Sequence, residues 1–417
     1  MAILTAKLSA AAPAFSSRYA WTRAATVGDQ LLIAFTNFGL TLAIGRAFSH
    51  EDLASYGIGL SVGLMLQAVQ RHAINIPLML ENDRRAVRRH KSALAEQLIV
   101  LLCSLAAGAA ALFAAYLLDA SRYTHLVIAA SVVCLLIYTE LEFARAFLIK
   151  LKRPMILLAA AFWYAAVSGV ICLSSLLHWT SYETLLLVLA GAMLAHYLAI
   201  VSIVGSPDLR RGWTLFLMNM KRYGGWAGVA TATYAGYNHL PLLALGAFTA
   251  PLHAAAFVAT RSLMQPLQIL LRGFDIADKS VFSEGAKEPS GAFKHTMKLV
   301  ILYAVIGIVF GVFIGLFAGK ILELAYGTKF SGFEAALIAW VPVYILLSVT
   351  MPFESLVYTR RNFRSYYLIR GIASLGSLVL TFPLVIRFSE VGAIAACAFG
   401  WLIAVVGTAL MLKRGTP

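Results

Sequence analysis

The chain has 417 residues, of which 60% are hydrophobic and only 13% are charged, and its formal net charge is +15. Soluble domains carry about 25% charged residues, so this composition argues against cytosolic enzymes, secreted disulfide scaffolds and nucleic-acid-binding proteins. Apolar runs such as Leu98 to Leu118 and Val391 to Leu412 have about the 20 residues that a helix needs to cross a bilayer. The sequence therefore predicts an all-α integral membrane protein.

In chain order, residues 1–24 come first and include Lys7, Arg18 and Arg23. A signal peptide would have its basic residues at the start, so we predict an N-terminal segment that lies in the membrane interface. Twelve transmembrane helices follow, which we call spans 1 to 12. Their predicted limits are 27–47, 53–79, 93–118, 125–149, 155–177, 183–204, 225–248, 254–276, 296–318, 333–353, 368–388 and 391–412.

Basic residues are distributed unequally between the two sets of loops. If the N-terminus is cytoplasmic, that side has 26 of the 34 Lys and Arg residues, and the other side has five. Cytoplasmic loops of membrane proteins are enriched in Lys and Arg, so both termini are predicted to be cytoplasmic. The longest loop on the other side, Gly319 to Gly332, has about 14 residues. That is too short for an external catalytic domain.

The two halves of the chain resemble each other. An offset of 201 positions aligns Asn37 with Asn238 and continues without a gap to Arg71 and Arg272, with nine identities in 35 positions. Because apolar composition alone does not produce matched Asn, Gln and Arg residues in one register, we predict an internal repeat. Six spans per half give two six-helix lobes related by a pseudo-two-fold axis along the membrane normal.

The repeat divides the chain into predicted domains: an N-lobe at 25–205, a linker at 206–224 and a C-lobe at 225–417. The linker is cytoplasmic in this topology. Its basic residues flank an aromatic and apolar middle that includes Trp213 and Phe216. This pattern is typical of a helix in the lipid interface, and a plain connecting loop also fits it.

The stretch from Thr36 to Gly57 resembles the opening of polysaccharide and O-antigen flippases of the multidrug/oligosaccharidyl-lipid/polysaccharide superfamily. In that family an Arg ends the first helix, an acidic turn follows, and an aromatic-Gly pair begins the second. Arg46, Glu51-Asp52 and Tyr56-Gly57 occupy those places. The second half departs from the pattern, because Ala247 replaces the Arg and the acidic turn is missing.

The resemblance implies a V-shaped transporter that opens alternately to the two membrane faces. It also implies a polyprenyl-pyrophosphate-linked oligosaccharide as cargo, moved to the outer leaflet of a bacterial inner membrane during capsule, O-antigen or exopolysaccharide assembly. Expected partners are membrane lipids, the polysaccharide polymerase machinery and H+ or Na+ as coupling ion. Nucleic acid is not an expected partner.

Three arginines remain inside predicted spans after the other basic residues are assigned to the two membrane sides: Arg71, Arg145 and Arg261. A charge at a helix centre costs about 2.5–3.5 kcal/mol, so such residues usually face a bundle interior or a wet cavity. Arginine offers a planar donor fork suited to phosphate oxygens, and these residues are candidates to bind a pyrophosphate. Snorkelling or pairing with a carboxylate is the alternative, and Glu142, three residues before Arg145, makes an ion pair the favoured interpretation there.

Other polar residues in the spans are candidates for binding or coupling. Asn37, Asn238 and Gln67 can hydrogen-bond sugar hydroxyls or neighbouring helices. Asp29, Glu140 and Glu354 can take up a proton or hold a cation, although Asp29 also suits a helix N-terminus and Glu354 can pair with Arg360 or Arg361. We predict no catalytic residues, metal site or cofactor, since no metal-ligand spacing or phosphate-binding loop is present.

Two other functions fit part of this pattern. A cation-coupled drug or metabolite exporter of the same superfamily needs a cavity with acidic and aromatic residues. A membrane polymerase or acyltransferase needs clustered His, Asp or Glu residues at one membrane face. The sequence shows few acids within its spans and no such cluster.

Overall fold

The computed structural model describes the backbone of residues 2–80, 83–271, 289–360 and 363–413, and side chains at 24–79, 89–225, 228–271, 293, 295–357 and 364–413. These residues are helical apart from short turns, and the part of the chain described contains no strand. The predicted all-α membrane fold is confirmed.

The helices follow one another with few intervening residues. In the first half they are α1 Ala2–Ala47, α2 His50–Gln70, a π-helical turn Arg71–Asn75, α3 Ile76–Leu80, α4 Asp83–Leu117, α5 Arg122–Lys150, α6 Pro154–Leu176 and α7 Tyr182–Val204. In the second half they are α8 Leu209–Asn238, α9 Leu240–Phe248, α10 Pro251–Leu263, α11 at 265–271, α12 Pro289–Tyr326, a 3-10 turn Gly327–Phe330, α13 Glu334–Arg360 and α14 Phe363–Lys413.

Nine helical segments in the described residues are long and apolar enough to cross a membrane. The last of them, Arg364–Lys413, has 50 residues and a non-helical backbone at Ser389 (φ 48°, ψ −126°), so it contains two helices. Predicted span 7 is interrupted at His239 and span 8 at Met264. The sequence predicts twelve spans and nine segments are found among the described residues, because spans 11 and 12 form one continuous segment and spans 7 and 8 are each interrupted.

Two predicted boundaries fall inside continuous helices. α1 runs from Ala2 to Ala47 without a break near residue 24. α8 begins at Leu209 and joins the predicted linker to span 7 in a single helix, so the linker is helical from that point. The interfacial position of both segments stays a prediction.

Serine residues begin three helices at one end of the molecule. Ser49 accepts a hydrogen bond from the backbone N–H of Asp52, whose side chain accepts one from the N–H of Ser49. Ser121 and Ser181 cap α5 and α7 in the same way, through the N–H groups of Thr124 and Thr184. These caps satisfy free N–H groups at helix starts. We call this end the outer end, following the predicted orientation.

The same helix pairings occur in both halves. α1 packs against α6 in the first half, and α8 with α9 packs against α14 in the second. Likewise α4 contacts α5 and α2 contacts α5, as α12 contacts α13 and α10 contacts α13. In span numbers, the first half has the pairs 1 and 5, 3 and 4, and 2 and 4. The second half has the corresponding pairs 7 and 11, 9 and 10, and 8 and 10. This pattern supports the internal repeat.

Small residues allow the closest of these packings. A Cβ atom on Gly59 would lie 2.6 Å from the backbone of Ala130, and one on Gly63 would lie 2.9 Å from that of Cys134. The two glycines are four residues apart on α2, which brings its backbone close to that of α5. α2 is therefore held firmly within the first half, while its other contacts reach α8, α9 and α10 of the second.

Candidate functional site

The outer ends of the two halves are tied together through backbone carbonyls. Lys329 Nζ donates to the carbonyls of Arg46 (2.7 Å) and Phe48 (2.9 Å), and Arg46 Nη1 donates to the carbonyl of Leu324 (3.1 Å). The ring of His50 lies 3.2 Å from the carbonyl of Lys329 through Nε2. The α1–α2 turn and the turn after α12 thus form a closed outer end.

An aromatic side chain adds to this closure on the inner side of the two turns. Tyr326 lies against Gly45, where a Cβ atom would come within 2.5 Å of its ring. Its hydroxyl lies 2.6 Å from Ser262 Oγ and donates to the carbonyl of Ala259 (3.2 Å). Tyr326 therefore fills the space between α1 and α10, which belong to different halves.

Three predicted binding residues lie at matching positions within their spans. Asn37, Asn238 and Arg261 are each ten residues from the outer helix ends at Ala47, Phe248 and Pro251. At 1.5 Å per residue this is about 15 Å along the helix. The structure brings two of them together, because Arg261 Nη2 donates to Asn238 Oδ1 (3.0 Å) and Nη1 donates to the Asn238 carbonyl (3.1 Å).

The break at His239 makes the Asn238 carbonyl available to Arg261. In an unbroken helix that carbonyl would accept from Leu242, but the N–H of Leu242 donates to the carbonyl of His239 instead (3.1 Å). Pro241, in the first turn of α9, has no N–H to donate. A helix interruption thereby creates the acceptor that holds an arginine from the next helix.

Arg261 has neutral partners. Besides Asn238, its guanidinium lies over the ring of Trp340, 5.5 Å from the centroid. Tyr344 donates a hydrogen bond to the Arg261 backbone carbonyl (3.2 Å), which fixes the helix beside α13. Among the described residues no carboxylate lies within ion-pair distance of Arg261. Its charge is therefore satisfied by hydrogen bonds and not neutralised.

Arg71 and Arg145 have acidic partners. Arg145 Nε donates to Asp29 Oδ2 (2.5 Å) and its Nη1 to Glu142 Oε2 (2.7 Å). Arg71 Nε lies 3.4 Å from the other Glu142 oxygen, and 57% of the Arg71 side chain is exposed. The four residues, which we call the inner charge cluster, join α1, α5 and the π-helical turn, and their formal charges sum to zero.

Glu140 lies in a buried polar network within the first half. Its Oε1 is 3.0 Å from His196 Nδ1, and its Oε2 accepts from Gln97 Nε2 (2.8 Å). Gln70 donates to Gln97 Oε1 (2.7 Å). Glu140 and Gln97 are fully buried and His196 is 3% exposed. In the described part of the chain Glu140 has no Arg or Lys partner.

Of the remaining candidates, Glu354 and Asn37 have partners on other helices and Gln67 has none among the described residues. Glu354 accepts hydrogen bonds from Tyr366 (2.6 Å) and from Arg370; Arg360 and Arg361, the predicted partners, are outside the described side chains. Asn37 Oδ1 accepts from Tyr164 (2.6 Å). Gln67 is partly buried and has no side-chain partner among the described residues.

Several residues of these networks were not predicted from the sequence. His196 looks isolated in the sequence, and its partner Glu140 is 56 positions away. Arg370, near the start of predicted span 11, was not a candidate, yet it is largely buried and lies 4.6 Å from the ring centroid of Tyr366. An ionisable residue in an apolar helix is the only signal that pointed to such sites.

No protein-family profile matches the chain, and no curated protein matches it. Solved structures do. The lipid II flippase MurJ in an inward closed conformation matches with a TM-score of 0.70 and 14% identity over 92% of this chain and 87% of that one. An inward-facing multidrug resistance MATE family transporter of the MOP superfamily matches with a TM-score of 0.62 and 13% identity over 94% and 100%.

A third structure is a MOP superfamily transporter from Pyrococcus furiosus whose binding pocket is described as having reversed polarity. It matches with a TM-score of 0.55 and 12% identity over 95% of both chains. At these identities the likeness shows the fold alone. The chain has the fold of these structures, which are a lipid II flippase and transporters of the MOP superfamily.

Proposed function

We propose that the chain is an alternating-access flippase that moves a polyprenyl-pyrophosphate-linked oligosaccharide from the cytoplasmic to the outer leaflet of a bacterial inner membrane. The observation that carries the proposal is the environment of Arg261. This residue places a permanent positive charge inside a membrane span, and its partners are an amide, a carbonyl and an aromatic ring.

A charge in this position needs an anion to complement it. Neutral hydrogen-bond acceptors reduce the desolvation cost of a guanidinium but leave its net charge in place. A pyrophosphate supplies oxygens that match the arginine donor fork. α10 contacts α1 and α2 of the other half, so Arg261 belongs to a helix at the boundary between the lobes, where a transported headgroup would pass.

The acids of the described spans favour anionic over cationic cargo. Asp29 and Glu142 are paired with Arg145, and Glu354 is paired with Arg370. A cation exporter of the same superfamily would need a carboxylate available to its substrate. Glu140 also has no Arg or Lys partner among the described residues, but it is buried in its own network, and Glu390 is held by His253.

We assign different roles to the other predicted residues. Asn37, Asn238 and Gln67 are proposed to contact the sugar headgroup or to orient the residues that do so, and Arg71 to receive the cargo near the inner end of α2. Glu140 with His196 is proposed as the H+ coupling group, with Na+ as the alternative ion. The likeness to a lipid II flippase supports a lipid-linked cargo, and we propose that the polysaccharide polymerase machinery receives it.

The proposal is tested by leaflet accessibility in proteoliposomes. A fluorescent polyprenyl-pyrophosphate oligosaccharide is incorporated, and its appearance in the opposite leaflet is followed with a membrane-impermeant quencher. Arg261→Gln removes the charge while keeping a polar side chain, and flipping is expected to fall at least about tenfold, corresponding to ~1.4 kcal/mol. Arg71→Gln is expected to reduce it less, because Glu142 already compensates Arg71.

A matched control is Arg387→Gln. Arg387 is exposed and lies at the outer end of the first of the two helices in α14, so this variant should flip the lipid at the wild-type rate. Export of a cationic dye by the same vesicles tests the alternative function. Wild-type flipping in both the Arg261 and the Arg71 variants would refute the arginine basis of the proposal. Dye export without lipid flipping would replace the proposal with a drug or metabolite exporter.

A further inference from the structure

An apolar groove opens at the boundary between the halves on the outer side. It has a volume of about 540 Å3, within the size range of ligand-binding pockets. α1 and α6 of the first half form one side, and Leu263 and the end of α12 form the other. The α1 residues that line it extend from Thr36 to Arg46, about 15 Å along the helix.

Two glycines in this groove have no packing partner. Gly39 on α1 and Gly169 on α6 both line it, and a Cβ atom on either would have no described heavy atom within 4 Å. Glycine inside a helix costs about 1 kcal/mol relative to alanine, and in membrane helices it usually permits close packing, as at Gly59. Here the absent side chains leave a trough open to the surroundings.

The outer end of the groove carries a positive charge. Arg46 lines it there, and its guanidinium has one hydrogen-bond partner among the described residues, the carbonyl of Leu324. That bond uses one nitrogen of a guanidinium that has five N–H donors. An anionic headgroup at Arg46 and a hydrocarbon chain running inward along Gly39 and Gly169 match this distribution of charge and apolar surface.

We propose that this groove binds the isoprenoid chain of a polyprenyl phosphate or pyrophosphate lipid in the outer leaflet, with its phosphate at Arg46. The identity of the lipid rests on the proposed function, since a polyprenyl carrier is its cargo. A trough between two adjacent helices accommodates one chain, which a polyprenyl lipid has and a phospholipid, with two, does not. Walls from both halves make the groove sensitive to lobe movement, so it is an exit site for the delivered lipid.

The test measures binding and does not depend on transport. The full chain in nanodiscs is irradiated with a polyprenyl phosphate that has a photoreactive group in its chain, and labelled peptides are identified by mass spectrometry. Labelling is expected on α1 and α6. It should fall about tenfold in Gly39→Leu and in Gly169→Leu, because the new side chain fills the trough.

Gly191→Leu is the matched control, because Gly191 on α7 is also exposed with no described neighbour within 4 Å of an added Cβ but does not line the groove. It should label as the wild type does. Arg46→Gln should reduce labelling by the phosphate probe and leave labelling by the corresponding uncharged polyprenol unchanged. The two leucine variants lie on different helices, so failure of one to fold leaves the other as the test.

Three results would overturn the inference. They are undiminished labelling in whichever leucine variants fold, displacement of the probe by phosphatidylglycerol as readily as by unlabelled polyprenyl phosphate, and equal loss of labelling in the Gly191 control. Specific labelling in a protein that does not flip lipid-linked sugar would support the groove and count against the proposed function. The two proposals therefore fail separately.

Discussion

Gly57 on α2 and Val258 on α10, which the predicted 201-residue repeat aligns with each other, are in direct contact. A Cβ atom on Gly57 would lie 2.0 Å from Val258 Cγ2. Equivalent residues of two symmetry-related units meet only at the symmetry axis. This contact is the position expected for a pseudo-two-fold axis between the halves, on the outer side of the molecule, and glycine at one of the two positions lets the helices approach.

The Gly57 and Val258 contact predicts a lock on lobe movement. In a background without the four native cysteines, Gly57→Cys with Val258→Cys should form a disulfide. An added Cβ at Gly57 lies 3.0 Å from Val258 Cβ, and disulfides have Cβ atoms about 3.5–4.5 Å apart. The two helices need to separate only slightly to reach that distance. Oxidation should stop transport, measured as lipid flipping, and reduction should restore it.

The single Val258→Cys variant is the control for this lock and should be insensitive to oxidation. If mass spectrometry shows that the double variant is fully crosslinked, and it still flips lipid as fast as it does after reduction of the disulfide, the outer contact does not open during transport. That result would contradict alternating access about this axis.

The hydrogen bonds of Lys329 predict that this residue helps to keep the outer end closed, more weakly than a disulfide would. Lys329→Ala removes two hydrogen bonds to carbonyls of the α1–α2 turn. Hydrogen bonds to charged groups contribute about 1.5–3 kcal/mol, and less where the side chain is exposed, as that of Lys329 is. We expect a membrane-impermeant maleimide added from outside to label Val258→Cys a few-fold faster than it does when Lys329 is present. Position 258 is chosen because cysteine is smaller than valine and leaves the contact with Gly57 intact. Lys320→Ala, on an exposed face of α12, should leave labelling unchanged.

Local sequence signals predicted much of the fold and one part of the charge arrangement. Hydropathy located the spans because each helix must cross the same thickness of hydrocarbon. The ion pair between Arg145 and Glu142 is present, and it was predictable because residues three apart share a helix face. The interruption of span 7 follows from Pro241, which cannot donate to the residue four positions before it.

Tertiary partners were not predictable in this way. Asp29 lies 116 residues from Arg145, its ion-pair partner, and a single sequence contains no periodicity that connects α1 with α5. Arg261 was predicted as a possible ligand of phosphate, but its attachment to Asn238 depends on how two helix ends meet. The roles of these residues in binding and coupling stay predictions that the experiments decide.

The Glu140 network predicts that coupling of lipid flipping to H+ can be removed without loss of the folded protein. Glu140→Gln keeps a side chain of the same shape, so the protein should remain folded, but it removes the titratable carboxyl between His196 and Gln97. We expect flipping to lose its response to an imposed pH gradient while downhill movement of lipid continues. A wild-type response in this variant would exclude Glu140 as the H+ coupling group.

Two further variants calibrate that measurement. Glu140→Ala leaves the buried polar atoms of His196 and Gln97 without their partner, at about 1–3 kcal/mol for each unsatisfied group, and should lower the melting temperature in detergent. Glu183→Gln alters a 51% exposed carboxylate at the outer end and should change neither stability nor the gradient response.

Asp29 and Arg145 predict a double-mutant cycle that separates a structural pair from a coupling acid. Asp29 is 3% and Arg145 18% exposed, and their charged atoms are 2.5 Å apart. Removing one partner of a buried ion pair costs about 3–5 kcal/mol because the other charge stays buried. Asp29→Ala and Arg145→Ala should therefore each destabilise the protein strongly, and the double variant should be less destabilised than the two effects added together.

The measurement is unfolding in detergent followed for all four proteins of the cycle, with flipping measured on those that remain folded. Because Glu142 also contacts Arg145, Arg145→Ala leaves Asp29 without its cation and Glu142 with Arg71 alone, and it is expected to be the more damaging single change. Restored stability together with restored flipping in the double variant would assign Asp29 to structure. Restored stability without flipping would instead make the Asp29–Arg145 pair itself part of the transport function.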